Sequence, residues 1–153
     1  GMKAFLPRMI ERNSGHIINM ASLAGYVGTP RMPAYAASKW GVIGLTESVR
    51  MEVTWLLKAR GVKFTVVCPG FVDTGMFEGA RTVRGTRILR PEDVAAQVVR
   101  AIRRNQAVLG VPSFPVNVLT PLLKALLPVT VMDRINALMG MWHINDNWRG
   151  RGS

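Results

Sequence analysis

The sequence is poor in cysteine, histidine and acids: one cysteine (Cys68), two histidines, and nine Asp and Glu among 153 residues. A lone thiol closes no internal disulfide, so the fold does not depend on an oxidising compartment and a cytoplasmic home is expected. His16 and His143 are isolated from each other and from Cys68. No His, Cys or carboxylate cluster has ligand spacing, which argues against a metal site. No basic, apolar, small-residue succession marks a secretory leader at the start of the chain, since GMKAFLPRMIER becomes charged within a few residues. The longest uncharged stretch, Asn105 to Leu123, contains Pro112, Pro115 and Pro121, and so makes a poor membrane span. Association with a membrane surface stays open.

What remains is basic and apolar. Twenty Lys and Arg against nine acids give a formal net charge of +11, and fifteen of the cations are arginine. Such a field raises the expectation of an anionic partner, whether nucleotide phosphate, nucleic acid or lipid. The arginines from Arg81 to Arg104 lack the interleaved aromatics that base stacking needs, so a solvated face, with no nucleic acid, is the expectation there. With 48% hydrophobic and 19% charged residues, the chain buries a real core and excludes general disorder. Its length suits one globular domain, or part of a larger one.

Apolar spacing predicts a helix over residues 2–12, stopped by Asn13-Ser14-Gly15. His16 to Ala21 reads as a strand buried on both faces, followed by a loop marked by Gly25, Gly28, Pro30 and Pro33. A long helix is predicted over 34–60, with Gly61 as its C-terminal cap. Val62 to Cys68 forms a second buried strand, closed by Pro69-Gly70. Residues 71–90 read as an irregular loop exposing Arg81, Arg84, Arg87 and Arg90. Pro91-Glu92-Asp93 opens a helix to about Asn105, and Ala107 to Val111 is a weak third strand. Alternating strands and helices with continuous apolar strands give an α/β class with a parallel sheet. Residues 113–153 are expected to be a docked helical extension, broken at Pro121 and Pro128, and a loose polar tail from Trp142.

Chemistry concentrates on Ser22, Tyr35 and Lys39. Tyr35 and Lys39, at i and i+4, share a helix face one turn apart. An ammonium beside a phenol stabilises phenolate, which makes a tyrosine serviceable as a general acid or base. Ser22 falls at the carboxyl end of the preceding strand, where ligands settle in open α/β sheets, and its hydroxyl suits a carbonyl developing negative charge.

Three blocks occur in order at these strand and helix boundaries: Asn19-Met20-Ala21-Ser22, then Tyr35-Ala36-Ala37-Ser38-Lys39, then Cys68-Pro69-Gly70-Phe71-Val72-Asp73-Thr74. Together they resemble the short-chain dehydrogenase/reductase family, over nearly all of this chain but only the later part of the family fold. The resemblance implies a Rossmann-like sheet and an NAD(P)-dependent oxidoreductase that interconverts an alcohol and a ketone or aldehyde. By it, Tyr35 moves the proton, Lys39 lowers the tyrosine pKa and bonds the nicotinamide ribose, and Ser22 orients the substrate oxygen. Pro69, Gly70, Val72 and Thr74 match the segment that lies against the cofactor. The family's use of the 34–60 helix implies a homodimer or homotetramer, and Ala36, Ala37, Gly41 and Gly44 make one side of that helix small. Met76 and Phe77 fall where the family closes a lid on substrate, and the apolar C-terminal segment implies a hydrophobic one.

The pattern departs from the family in what it lacks. No G-x-x-x-G-x-G turn, no Asn-Asn-Ala-Gly block and no counterpart of the family's catalytic Asn precede Ser22. At roughly 30 residues per βαβ unit, a first half of about 100 residues is expected to be missing, leaving an apolar edge and face exposed. The alternative is a noncatalytic fragment or basic interaction module that cannot hold dinucleotide alone. NAD and NADP are not distinguished, because the adenosine ribose would meet residues outside these 153. The isolated chain is therefore expected to show no micromolar affinity for NADH or NADPH in a nicotinamide-fluorescence titration; micromolar binding would overturn this.

Overall fold

The computed structural model describes residues 1–76 and 79–147, apart from the Pro115 side chain. Three parallel strands form one sheet: β1 (Gly15–Met20), β2 (Val62–Pro69) and β3 (Val108–Val111), in the order β1-β2-β3. The register pairs Ile17 with Phe64 and Met20 with Val67, then Val67 with Leu109 and Pro69 with Val111. Parallel neighbours need crossovers, and α2 (Pro33–Met51) and α3 (Pro91–Arg103) supply them.

Alternation along β2 explains the layering. Phe64, Val66 and Cys68 point to the side covered by α1 (Met2–Glu11) and α2, where they join Ile17, Val53, Val42 and Ile43. Val67 points to the other side and packs with Val94, Ala101 and Leu109 under α3. Helices therefore cover both faces of β2, whose residues are nearly all buried. A polar thread crosses the sheet within this apolar setting: Thr65 Oγ1 donates to the Gln106 carbonyl at 2.7 Å and lies 2.8 Å from His16 Nε2. Since the hydroxyl proton is spent on Gln106, the imidazole donates through Nε2; burial, with Lys63 nearby, holds its pKa below the usual histidine value.

Three expectations are corrected. The strand at His16 to Ala21 is not buried on both faces: Ile17 is covered, but Ile18 and Met20 are exposed, because no described element covers the α3 side of β1. The long helix does not run regularly to Arg60; it widens into a π turn at Glu52–Leu56 and ends, with Lys58 in the left-handed region at φ 56°. Gly61 accordingly caps nothing. A Cβ on it would collide with the Asn13 carbonyl oxygen, and its N–H donates to Asn13 Oδ1 at 2.7 Å, so it lets the chain pass the end of α1 at contact distance.

The extension is helical and is broken at Pro128 as expected, but not at Pro121. A π turn at Pro115–Leu119 leads directly into α4 (Thr120–Leu126), with Pro121 in the first turn of α4, where a missing N–H costs little. Pro128 precedes α5 (Val129–Leu138). The tail is docked rather than loose as far as it is described. Ile144 is buried, Asn145 Nδ2 donates to the Pro30 carbonyl at 2.9 Å, and Asp146 pairs with Arg31 at 2.8 Å. The rest of the expected tail, from Trp148 on, and Phe77 of the expected lid lie outside the described residues. The described residues of the loop over 71–90 are irregular, tied by a bridge from Val72 to Leu89 and by backbone bonds from Arg81 to Ile144 and from Arg84 to Met139, and Arg81, Arg84, Arg87 and Arg90 are exposed as expected. No helix of the described residues is long and apolar enough to cross a membrane.

Two glycines test this packing in opposite directions. Gly61→Ala is expected to lower stability by about 2–4 kcal/mol, because backbone must move. Gly44→Ala, in open space on α2, is expected to raise it by up to about 1 kcal/mol through helix propensity. Urea denaturation of the two variants checks both signs.

Candidate active site

β1 ends at Met20, and the chain turns at once into a short 3₁₀ turn, Leu23–Gly25. Ser22 caps that turn in extended backbone, accepting from the Ala24 N–H at 3.2 Å, which fixes its Oγ at the carboxyl end of the strand. The oxygen donates only weakly, to the Pro69 carbonyl at 3.5 Å. A hydroxyl so loosely committed can turn its proton to a ligand.

The 3₁₀ turn docks on α2. Gly25 is buried against it, and a Cβ there would sit 2.9 Å from the Lys39 carbonyl oxygen and 2.5 Å from Ile43 Cδ1. The absent side chain therefore sets the distance between the Ser22 turn and α2. α2 is also tied to β1 directly. Lys39 Nζ donates to the Met20 carbonyl at 3.2 Å, and two turns on Asn19 Nδ2 donates to Thr46 Oγ1 at 2.8 Å. Thr46 is 2% exposed and donates in turn to the Val42 carbonyl at 2.6 Å.

These ties bring Ser22 and Tyr35 to the wall of one cavity of about 270 Å³. Gly70 lines it too, donating its N–H to the Val111 carbonyl at 2.8 Å. Lys39 Nζ lies 5.5 Å from the centroid of the Tyr35 ring, in cation–π range, and does not itself line the cavity. Pro69, Val72 and Thr74 do not line it either. Pro69 ends β2, Val72 bridges to Leu89, and Thr74 is exposed in the loop beyond. Most of the remaining wall is apolar: Leu23, Val27 and Met32 come from the first half of the chain, and Leu123, Met132 and Ile135 from the extension, with Thr29, Thr120, Asn136 and Asn145 among them. Beneath the site Cys68 is fully buried, and burial pushes its thiol up to about 11, so at neutral pH it acts as a small apolar filler. Burial likewise raises the Tyr26 phenol, which contacts Cys68.

Asn19, Gly25 and Thr46 were not singled out as site residues from the sequence, although Gly25 was read as a loop marker. A threonine on the inward face of a helix, opposite an asparagine in an apolar strand, was the available signal. Asn145 was missed because it sits in the expected loose tail; it lines the cavity as well as holding Pro30.

A family model described as short chain dehydrogenase matches residues 1–84, more than half of the chain. The chain belongs to the short-chain dehydrogenase family. Epidermal retinol dehydrogenase 2 of Mus musculus is 38% identical over 151 residues, covering 97% of this chain and 48% of that protein. Retinol dehydrogenase 10-A of Danio rerio is 44% identical over 114 residues, covering 72% of this chain and 33% of that one. The chain thus spans about half the length, or less, of these relatives. Among solved structures, a short-chain dehydrogenase from Sphingobium yanoikuyae in complex with NADPH superposes with a TM-score of 0.61 at 20% identity, over 89% of this chain and 47% of that one. That likeness shows a shared fold, of which this short-chain dehydrogenase chain holds under half: a Rossmann-like parallel sheet with flanking helices, incomplete.

Because Gly25 sets the approach of the Ser22 turn to α2, Gly25→Ala is expected to cost about 1–3 kcal/mol by overpacking, read by thermal and chemical denaturation. Unchanged stability would show that the turn shifts freely.

Proposed function

We propose that this chain carries the acid/base half of an NAD(P)-dependent dehydrogenase that interconverts an apolar alcohol and its carbonyl form. The observation that carries the reading is that Ser22 and Tyr35 both line one largely apolar cavity, with the Lys39 ammonium beside the tyrosine ring. Tyr35 gives or takes the proton at the substrate oxygen. Ser22 donates to the same oxygen, its hydroxyl proton being only loosely held by the Pro69 carbonyl. Lys39, held to β1 through the Met20 carbonyl, keeps its charge beside the phenol.

The fit to a nicotinamide cofactor rests on Gly70. A Cβ there would meet only the Val111 oxygen, at 3.6 Å, so the protein's own packing does not require glycine, and the space it leaves opens on the cavity. Tyr35 and Gly70 on the cavity wall, with Lys39 beside the tyrosine ring, are the residues that would hold the nicotinamide end of NAD or NADP, and Pro69, Val72 and Thr74, which stand off that wall, would meet the cofactor beyond it. When bound, the nicotinamide supplies or accepts the hydride. Dinucleotide affinity is assigned to the complete protein, since β1 presents an unpaired edge and the uncovered Ile18 and Met20 where further elements would complete the sheet.

The substrate class follows from the cavity lining and from the relatives, two of which are named for retinol. A long apolar primary alcohol of that kind suits Leu, Val, Met and Ile walls with two hydroxyls at the reacting end. Assembly as a homodimer or homotetramer through α2 is supported by the helix's outer face. Gly41 and Gly44 are open there, with Trp40 and Leu45 exposed beside them, which a second copy of the helix would cover.

In the full-length protein, Tyr35→Phe is expected to lower kcat for retinol oxidation with NAD or NADP by at least about 10²-fold while far-UV circular dichroism stays unchanged. Turnover undiminished by the loss of that hydroxyl would overturn the assignment.

A further inference from the structure

α4 carries part of the cavity wall on an element with few anchors. Leu119, just before it, and Thr120 and Leu123 within it line the cavity, while Leu122 and Leu126 are exposed. At the near end the segment is rooted by Val116, fully buried in the cluster formed by Ala21, Val66 and Cys68. Eight residues on, two helical turns along the same face, stands Lys124.

Lys124 reaches both halves of the catalytic frame. Its Nζ donates to the Tyr26 carbonyl at 2.6 Å, across 98 residues of sequence, and lies 4.2 Å from the centroid of the Trp40 ring. Tyr26 follows the 3₁₀ turn that Ser22 caps, and its own side chain packs on the buried Cys68 cluster, so the carbonyl is a fixed acceptor. Trp40 directly follows Lys39 on α2. One ammonium is thus held between the Ser22 segment and the Tyr35 helix. Burial lowers its pKa, as expected of a cation taken partly out of water by an indole face and a carbonyl.

From this geometry we infer that Lys124 is a positioning residue: it latches α4, and with it the Leu119, Thr120 and Leu123 wall, onto the Ser22 and Tyr35 frame, and so governs how tightly an apolar alcohol is held rather than how fast it reacts. The inference rests on the function proposed above only for the identity of the ligand; the latch itself is a statement about α4. Without the ammonium, the segment keeps its root at Val116 and loses its far tie, and the wall is free to swing from the reacting end.

Two variants of the full-length protein test it. Lys124→Met keeps the apolar stem and removes the charge; Lys124→Arg keeps a cation for the indole and a donor for the carbonyl. Hydrogen exchange of the α4 amides is expected to speed up in Lys124→Met and return toward wild type in Lys124→Arg. KM for retinol is expected to rise about five- to tenfold in Lys124→Met with kcat within about twofold, and Lys124→Arg to restore it. Unchanged α4 exchange in Lys124→Met overturns the latch, and faster exchange with unchanged KM overturns its control of binding. If the wild-type protein turns over no retinol, the proposed function fails; the exchange arm, and retinol affinity read from retinol's own fluorescence, then judge Lys124 separately.

Discussion

The fastening of α2 to β1 is the constraint on which the site depends. A helix laid on a sheet by apolar contacts alone can slide or roll by fractions of a turn, because such contacts are non-directional. Here the Lys39 to Met20 and Asn19 to Thr46 bonds stop the roll, and Gly25 stops the slide by admitting the helix backbone only at one depth. Both side-chain bonds join α2 to the last two residues of β1. Ser22 lies two residues beyond, so its position relative to Tyr35 inherits their precision. Lys39 serves this alignment as much as it serves any charge effect on the phenol.

Much of this was legible in the sequence, for physical reasons. β2 is apolar throughout because both its faces are covered, so Val62 to Cys68 could be recognised without its partners. The Tyr35 and Lys39 spacing is a property of any helix, and the Pro69-Gly70 break fell where the strand ends. Readings failed where the deciding interaction lies far along the chain. Gly61 looked like a helix cap because a glycine after a long apolar periodicity commonly is one; its reason is the Asn13 carbonyl, 48 residues earlier. The segment around Asn145 looked loose because it is polar, yet Asn145 Nδ2 donates to the Pro30 carbonyl and Asp146 pairs with Arg31, 115 residues earlier in each case. β1 looked doubly buried because its apolar composition belongs to a sheet larger than the one these residues form.

That last mismatch bears on how the chain behaves as well as on how it was read. Ile18 and Met20 on the sheet, with Trp55, Leu56 and Leu57 at the end of α2, form apolar surface that water meets.

Ser22, Tyr35 and Lys39 and their fasteners all fall between Gly15 and Gly70, within the single unit of β1, α2 and β2 that binds them together. The walls that would choose a substrate are contributed largely from beyond residue 82, by elements anchored through Val116, Lys124 and Asn145. The Ser22 and Tyr35 frame and the facing wall therefore lie on separate stretches of chain. Substitutions in the later stretch can reshape the cavity while that frame keeps its ties to β1.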